Sequence, residues 1–282
     1  MEHVRFTSRP PLEAPVLVAA FEGWNDAGEA ASGAARFLVE RWDAERFAAI
    51  DAEEYFDFTT TRPHVRYDAE GAREIVWPDT ELYAVAGLEG VGDAVVLLGT
   101  EPDLRWRGYC RQVTELAESL GARLVLTLGA LLAEVPHSRP VPVSGTAEDP
   151  AVVQALGLQA SSYEGPTGIV GVLHAACRDA GLATASLWAT VPSYVPAAAS
   201  PKATLALVER TAALLGTWVP TTELEIATAA YERQVDELVR ADEETAAYVS
   251  SLESRHDDES DPFPSGASLV EEVERFLRDG PD

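Results

Sequence analysis

The sequence predicts an α/β fold in which helices cover both faces of a mixed sheet. Three observations carry this. Short apolar runs such as Val16–Phe21 and Arg123–Leu128 lack polar alternation, as strands buried on both faces do. Amphipathic helical segments stand between such runs, several of them stopped by a glycine, so strand and helix alternate along the chain. A cluster of short, partly alternating segments in the middle makes the sheet mixed rather than parallel throughout.

The elements follow in order. Val16–Phe21 is bounded by Pro15 and Gly23 and is the first buried strand. Asp26–Trp42 places Ala30, Ala34, Phe37, Leu38 and Trp42 at helical spacing. Arg46–Asp51, Tyr55–Thr60, His64–Tyr67, Arg73–Trp77, Leu82–Ala86 and Ala94–Gly99 are strands or hairpins. Arg107–Leu120 is a helix closed by Gly121, and Arg123–Leu128 a buried strand. Pro166–Ala180 is a helix closed by Gly181, Ala183–Val191 a strand, and Pro201–Leu215 a helix closed by Gly216.

Beyond residue 220 the pattern changes. Leu224, Tyr231, Leu238, Thr245 and Leu252 recur every seven residues, a weak heptad whose helix would span about 30 residues, or roughly 45 Å. It either folds back on its own domain, broken or not, or meets another subunit. Arg255–Ser265 is expected to be a linker, and Ala267–Arg278 a small amphipathic helix. The expected organisation is therefore an α/β domain over residues 1–220 and an acidic helical extension over 221–282.

Charge excludes several functions. The 282 residues carry 47 acidic and 21 basic side chains, a net of −26, which repels nucleic-acid phosphates and anionic lipid surfaces. No apolar run approaches the roughly 20 residues of a membrane span, and Met1–Arg5 opens no secretory signal, so a cytoplasmic location is expected. The charge is uneven: residues 221–282 hold 18 acidic and 5 basic side chains, half of the net charge. The extension is thus expected to be a solvated arm, and any site to lie in the body. Cys110 and Cys177 are too few for a disulfide framework or a cysteine-rich zinc site, and no metal or cofactor is expected.

Three segments are candidate sites, each with a structural alternative. Glu22, Trp24, Asn25 and Asp26 follow the first buried strand, where α/β sheets place ligands. Asp26 there is also a good helix N-cap, and Glu22 disfavours a phosphate. Pro136–Pro140 carries His137, Ser138 and Arg139 on a stiff segment, but no nucleophile elbow occurs. His137 and Arg139 suit a carboxylate, and the alternative is a rigid interface loop. Tyr163–Ile169 opens a helix, and Gly165, Gly168 and Gly171 at every third position suggest close packing against a strand or a pocket at the helix start. Arg62 and His64, around Pro63, are expected to face the first segment, and Lys202 opens a helix where the dipole disfavours a cation. His174 and Cys177, three apart, are expected to be core packing.

Four segments in order resemble the proteasome assembly chaperone family related to the eukaryotic second chaperone subunit. They are Phe21–Gly28, Pro136–Pro140 with Gly145 and Thr146, Gly165–Ile169, and Leu187–Tyr194 continuing to Pro201–Ala203. The similarity spans Val16 to Leu215 and is closest to actinobacterial-type members. The resemblance implies a three-layer α/β/α fold with a mixed central sheet, like that of phosphorylases and some hydrolases, and homo-oligomers such as trimers. It implies a non-catalytic assembly-chaperone-like protein with a proteasome component as partner. The chain ends Asp279-Gly280-Pro281-Asp282, without the hydrophobic–Tyr–any-residue ending by which some relatives engage the proteasome core. The alternative is a ligand-binding protein or a hydrolase- or phosphorylase-like enzyme with its pocket at the strand carboxyl ends.

Overall fold

The structure is a computed structural model, and it describes residues 1–68, 71–161 and 163–259. Its architecture grows from one strand, β2 (Val16–Glu22). The run VLVAAF has no polar side chain, and all six residues are at most 1% exposed. Alternate residues point to opposite faces of a strand. Val16, Val18 and Ala20 accordingly join one core, and Leu17, Ala19 and Phe21 the other.

On either side of β2 run β7 (Gly92–Thr100) and β8 (Leu124–Ala133), both parallel to it, with Val18 opposite Val96 and Leu126. Next to β8 lies β11 (Thr184–Pro192), parallel over its full length. Antiparallel strands complete the far side: β6 (Thr80–Leu88), β3 (Glu45–Ile50) and β1 (Val4–Phe6). On the near side β9 (Val143–Ala147) pairs antiparallel with β11, and β10 (Gln159–Ala160) pairs parallel with β9. The nine-stranded mixed sheet has the order β1-β3-β6-β7-β2-β8-β11-β9-β10, and β4 (His64–Tyr67) and β5 (Arg73–Val76) form a separate hairpin.

Helices α1 (Ala30–Arg41) and α5 (Pro201–Leu215) cover one face, and α2 (Trp106–Ser119) and α4 (Ile169–Asp179) the other, giving the three-layer α/β/α arrangement. The short α3 (Pro150–Leu156) links β9 to β10, capped by the Asp149 carboxylate on the Ala151 N–H and ended by Gly157 in the left-handed region. Helices α6 (Thr222–Arg240) and α7 (Glu243–Glu259) pack against the body through Tyr231, Val235, Val239 and Val249, which meet Tyr194, Val195 and Ala198.

Several expectations fail for definable reasons. Tyr55–Thr60 is not a strand. The Asp57 carboxylate accepts from the Thr59 N–H (2.8 Å) and hydroxyl (2.7 Å), which bends the segment into turns. The helix expected from Pro166 starts at Ile169 because Gly168 is extended and the Glu101 carboxylate takes up the Ile169 N–H at 2.7 Å. The tail folds back on its own domain, as one of its two readings has it, and is broken at Ala241–Asp242, where the Asp242 side chain accepts from the Thr245 N–H and starts α7. A straight helix drifts against a seven-residue repeat. Leu238 is therefore 63% exposed, while Tyr231, Val235 and Val239 make the buried face at four-residue spacing. Residues 255–259 continue α7 instead of forming a linker, and the helix expected over Ala267–Arg278 lies outside the described residues.

The second core has one internal hydrogen bond that can be tested. Tyr109 is wholly buried edge-on against Tyr55 and Phe21, and its hydroxyl pairs with Thr80 Oγ1 at 2.7 Å. Tyr109→Phe leaves the Thr80 hydroxyl unpartnered and is expected to lower unfolding free energy by about 1–2 kcal/mol. Tyr109→Ala is expected to cost about 3–5 kcal/mol through the cavity it opens. Urea denaturation of both variants at neutral pH checks the pair, and an unchanged midpoint for Tyr109→Ala contradicts the packing.

Candidate functional site

The turn after β2 sends its side chains in different directions. Gly23 has φ +118°, a conformation that favours glycine, and its carbonyl accepts from the Asp26 N–H. The Asn25 carbonyl takes the Ala130 N–H at 2.8 Å, which ties the turn to β8. Asp26 caps α1: its carboxylate accepts from the Ala31 N–H (2.7 Å) and the Ser32 N–H (3.0 Å), and burial raises its pKa. Glu22 pairs with Arg36 and accepts from the Thr100 hydroxyl at 3.0 Å. Glu22 and Asp26 are thus bound within the fold, while Trp24 and Asn25 line a cavity.

That cavity encloses about 300 Å³ between the β11–β9 part of the sheet, α4 and the loop before it. Ser186 and Trp188 on β11 stand opposite Thr146 and Ser144 on β9, so all four lie on the same face. The Trp188 indole lies over Gly129 of β8, where a Cβ would sit 2.5 Å from the ring. This close approach explains a glycine inside a buried strand. His174 of α4 lines the cavity floor, its Nε2 2.9 Å from Thr127 Oγ1 and 3.0 Å from Ser186 Oγ, with those hydroxyls 2.7 Å apart. Burial pulls the His174 pKa down to about 4, so the ring is neutral at pH 7. Cys177, on the same helix, is fully buried, and burial pushes its pKa up to about 12. It has no thiolate character at neutral pH.

A second cluster lies where α6 and α7 meet the Pro136–Pro140 loop. His137 is 3% exposed. Its main-chain N–H donates to the Tyr194 hydroxyl (2.7 Å), its Nδ1 lies 2.8 Å from the same oxygen, and its Nε2 is 3.1 Å from Asp236 of α6. The arrangement suits the Nε2–H tautomer, with Tyr194 donating to Nδ1. Lys202 donates to the His137 carbonyl at 2.6 Å and pairs with Glu232 at 2.5 Å. Arg139 holds Asp257 of α7 with two parallel bonds of 2.7 and 2.6 Å, and Ser138 donates to Glu253.

The ten candidate residues therefore do not converge. Trp24, Asn25 and Tyr163 share the cavity. His137, Arg139 and Lys202 receive the acidic helices. Arg62 and His64 are exposed beside the separate β4–β5 hairpin and are not among the residues lining the cavity. The spaced glycines do not pack a helix on a strand: a Cβ on Gly168 would meet Asn25 Nδ2 at 2.4 Å, and one on Gly171 would meet Thr167 Oγ1 at 2.0 Å. Ser144, Glu148 and Ser186 line the cavity without having been singled out, Thr146 and Trp188 line it from the segments that carry the family resemblance, and His174 lines it as well as filling core. Alternation around Ser186 and Trp188 was a usable signal, but β9 gave none. Among the described residues no cluster of three or more His, Cys, Asp or Glu side chains suits a metal, and no helix is long and apolar enough to cross a membrane.

The family description of PAC2 matches residues 20–239. The chain belongs to the PAC2 family. A PAC2 family protein from Streptomyces avermitilis is 48% identical, with 83% of this chain and 99% of that one covered and a TM-score of 0.76. A proteasome-assembly chaperone homologue from Mycobacterium tuberculosis is 43% identical over the same shares, with a TM-score of 0.74. A Pyrococcus furiosus archaeal proteasome activator, 16% identical over 83% of this chain and 97% of its own, shares the fold with a TM-score of 0.68. No curated protein matches. The PAC2 match runs through nearly all of α6, so the family region extends past Leu215 into the acidic helices.

Two predictions follow from the geometry of this PAC2 chain. His137→Ala strips partners from Tyr194 and Asp236 and is expected to cost about 1–3 kcal/mol. Arg139→Ala, at a partly exposed ion pair, is expected to cost less than about 1 kcal/mol. Urea unfolding separates the two, and equal losses contradict the burial difference. His174 has a folded pKa below its ordinary 6.5, so its contribution to stability is complete above pH 6.5 and declines as pH falls toward 4. The melting temperature of His174→Gln is expected to fall less than that of the wild type across this window. Parallel curves would show that His174 is not held neutral by the fold.

Proposed function

We propose that this PAC2 protein is a non-catalytic, homo-oligomeric interaction protein of the assembly-chaperone type, working as a trimer on proteasome components in the cytoplasm. Kinship with the mycobacterial proteasome-assembly chaperone homologue at 43% identity supports the partner class. The observation that carries the interaction role is the β4–β5 hairpin. It stands apart from the main sheet and exposes Val65, Tyr67, Ile75 and Trp77, with Tyr67 72% exposed. A lone two-stranded hairpin is barely stable in water, and a cluster of exposed apolar side chains on one marks a contact surface. The commitment of His137, Arg139 and Lys202 to the acidic helices fits the same reading. On this reading residues 221–282 are an extension of a 1–220 α/β domain, and its described helices α6 and α7 are held on that domain by apolar contacts and kept in register by the ion pairs.

Light scattering on the purified protein is expected to give a trimer. The double substitution Tyr67→Lys with Trp77→Lys is expected to give a monomer with an unchanged circular dichroism spectrum. A monomeric wild type contradicts the oligomer. Mixing the protein with separately purified proteasome α- and β-subunits from an actinobacterial host is expected to speed particle formation on native gels. An unchanged rate contradicts the chaperone role.

A further inference from the structure

The cavity beside Trp24 is lined in a way the assembly role does not require. Ser144 and Thr146 of β9 line it, and neither hydroxyl has a hydrogen-bond partner among the described residues or is sealed in protein. His174 is 8% exposed, and its Nε2 is held by the Thr127 and Ser186 hydroxyls at 2.9 and 3.0 Å. Its Nδ1 has no partner among the described residues and is not sealed off either. The two bonds at Nε2 fix the ring, so a neutral nitrogen on a nine-tenths buried side chain stands at a set position in the cavity wall. Thr146 is close by, since it lies opposite Ser186 in the sheet. Polar groups in such a wall are satisfied only by what enters the cavity, water or a ligand.

The lining restricts the ligand. Glu148 is the one charged side chain among the described lining residues, and Arg178 holds it at 2.9 Å. No cation there receives an anion, and the one carboxylate is already paired, so a charged ligand has no counter-ion. A wholly apolar ligand would strip water from the free hydroxyls and from His174 Nδ1 and return nothing. These free groups are neutral, they stand on both the sheet and α4, and a hydroxyl both donates and accepts. They match a small ring with hydroxyls around its rim. The Trp24 and Trp188 indoles, the second lying over Gly129, supply flat apolar surface for the C–H side of such a ring. A volume of about 300 Å³ is at the lower end for ligand cavities and holds one ring rather than a chain. We infer that the cavity is a binding site for a free, neutral monosaccharide, whose hydroxyls bond Ser144 Oγ, Thr146 Oγ1 and His174 Nδ1.

Ligand-observed NMR titration of the full-length protein tests this with D-glucose, D-mannose and D-galactose as probes. D-glucuronate is the anionic control, and cyclohexanol is a ring with a single hydroxyl. At least one hexose is expected to bind with a dissociation constant on the order of millimolar, as befits a ligand of so few atoms. Glucuronate and cyclohexanol are expected to bind at least about ten-fold more weakly than that hexose. Thr146→Val keeps the shape of the side chain but removes its hydroxyl, and is expected to weaken hexose binding by about three- to ten-fold. Trp24→Leu, on the half-exposed rim where folding is not at risk, is expected to weaken it several-fold. The inference is overturned if no hexose binds at about 50 mM, well above the expected constant. It is equally overturned if glucuronate or cyclohexanol binds as well as the best hexose, or if either variant, with an unchanged circular dichroism spectrum, binds that hexose like the wild type. Oligomeric state and proteasome assembly are independent of all these outcomes.

Discussion

The whole arrangement depends on the complete burial of β2. A strand with six consecutive apolar residues cannot be at an edge or present a face to water, so it must have strands on both sides and helices above and below. Its parallel neighbours need long crossovers, and these are the helices that cover it. The same burial fixes where function can appear. Nothing from Val16 to Phe21 can reach a ligand, and the first accessible side chains emerge at Glu22 and the turn beyond it. Trp24 is therefore presented directly after a wholly buried strand, with the carbonyl of its neighbour Asn25 tied to β8.

Elements with strong local signals were legible in the sequence, and those with tertiary causes were not. The strand Val16–Phe21 and the helices ended by Gly121 and Gly216 carry their own pattern and stop signals, and each forms where its residues indicate. The start of α4 is set by Glu101, 68 residues away, which no local pattern around Pro166 records. β9, with the pattern VSGTA, has intermediate burial and too little hydrophobic contrast to declare itself. The site was legible only in part for the same reason. A turn after a buried strand pointed to Trp24 and Asn25, whereas Ser186 and His174 become neighbours only when β11 and α4 are packed. Reading His174 as core was half right: it is buried like a core residue, but at the floor of a cavity.

The charge distribution has a different meaning in the structure from the one composition suggests. The acidic helices are not a free solvated arm. Glu232, Asp236, Glu253 and Asp257 meet Lys202, His137, Ser138 and Arg139, so the sole lysine of the chain and a buried histidine serve as anchors. Surface ion pairs contribute little individually. The apolar contacts of Tyr231, Val235 and Val249 therefore supply most of the holding force, and the ion pairs select the register. A helix with only this narrow apolar face slides easily, and the fixed charges on the His137 loop remove that freedom.

Anchoring of the C-terminal helices and the uncharged lining of the cavity then become two consequences of one imbalance. With more than twice as many acidic as basic side chains in the whole chain, cations are few. Arg139 and Lys202 hold the C-terminal helices, Arg36 neutralises Glu22, and Arg178 neutralises Glu148 at the cavity. No lysine or arginine is among the described residues lining the cavity beside Trp24, whose walls are instead the two indoles and the hydroxyls of Ser144, Thr146 and Ser186. Contacts offered by such groups are short-range and little affected by salt, so they hold even inside the repulsive field of a strongly acidic protein.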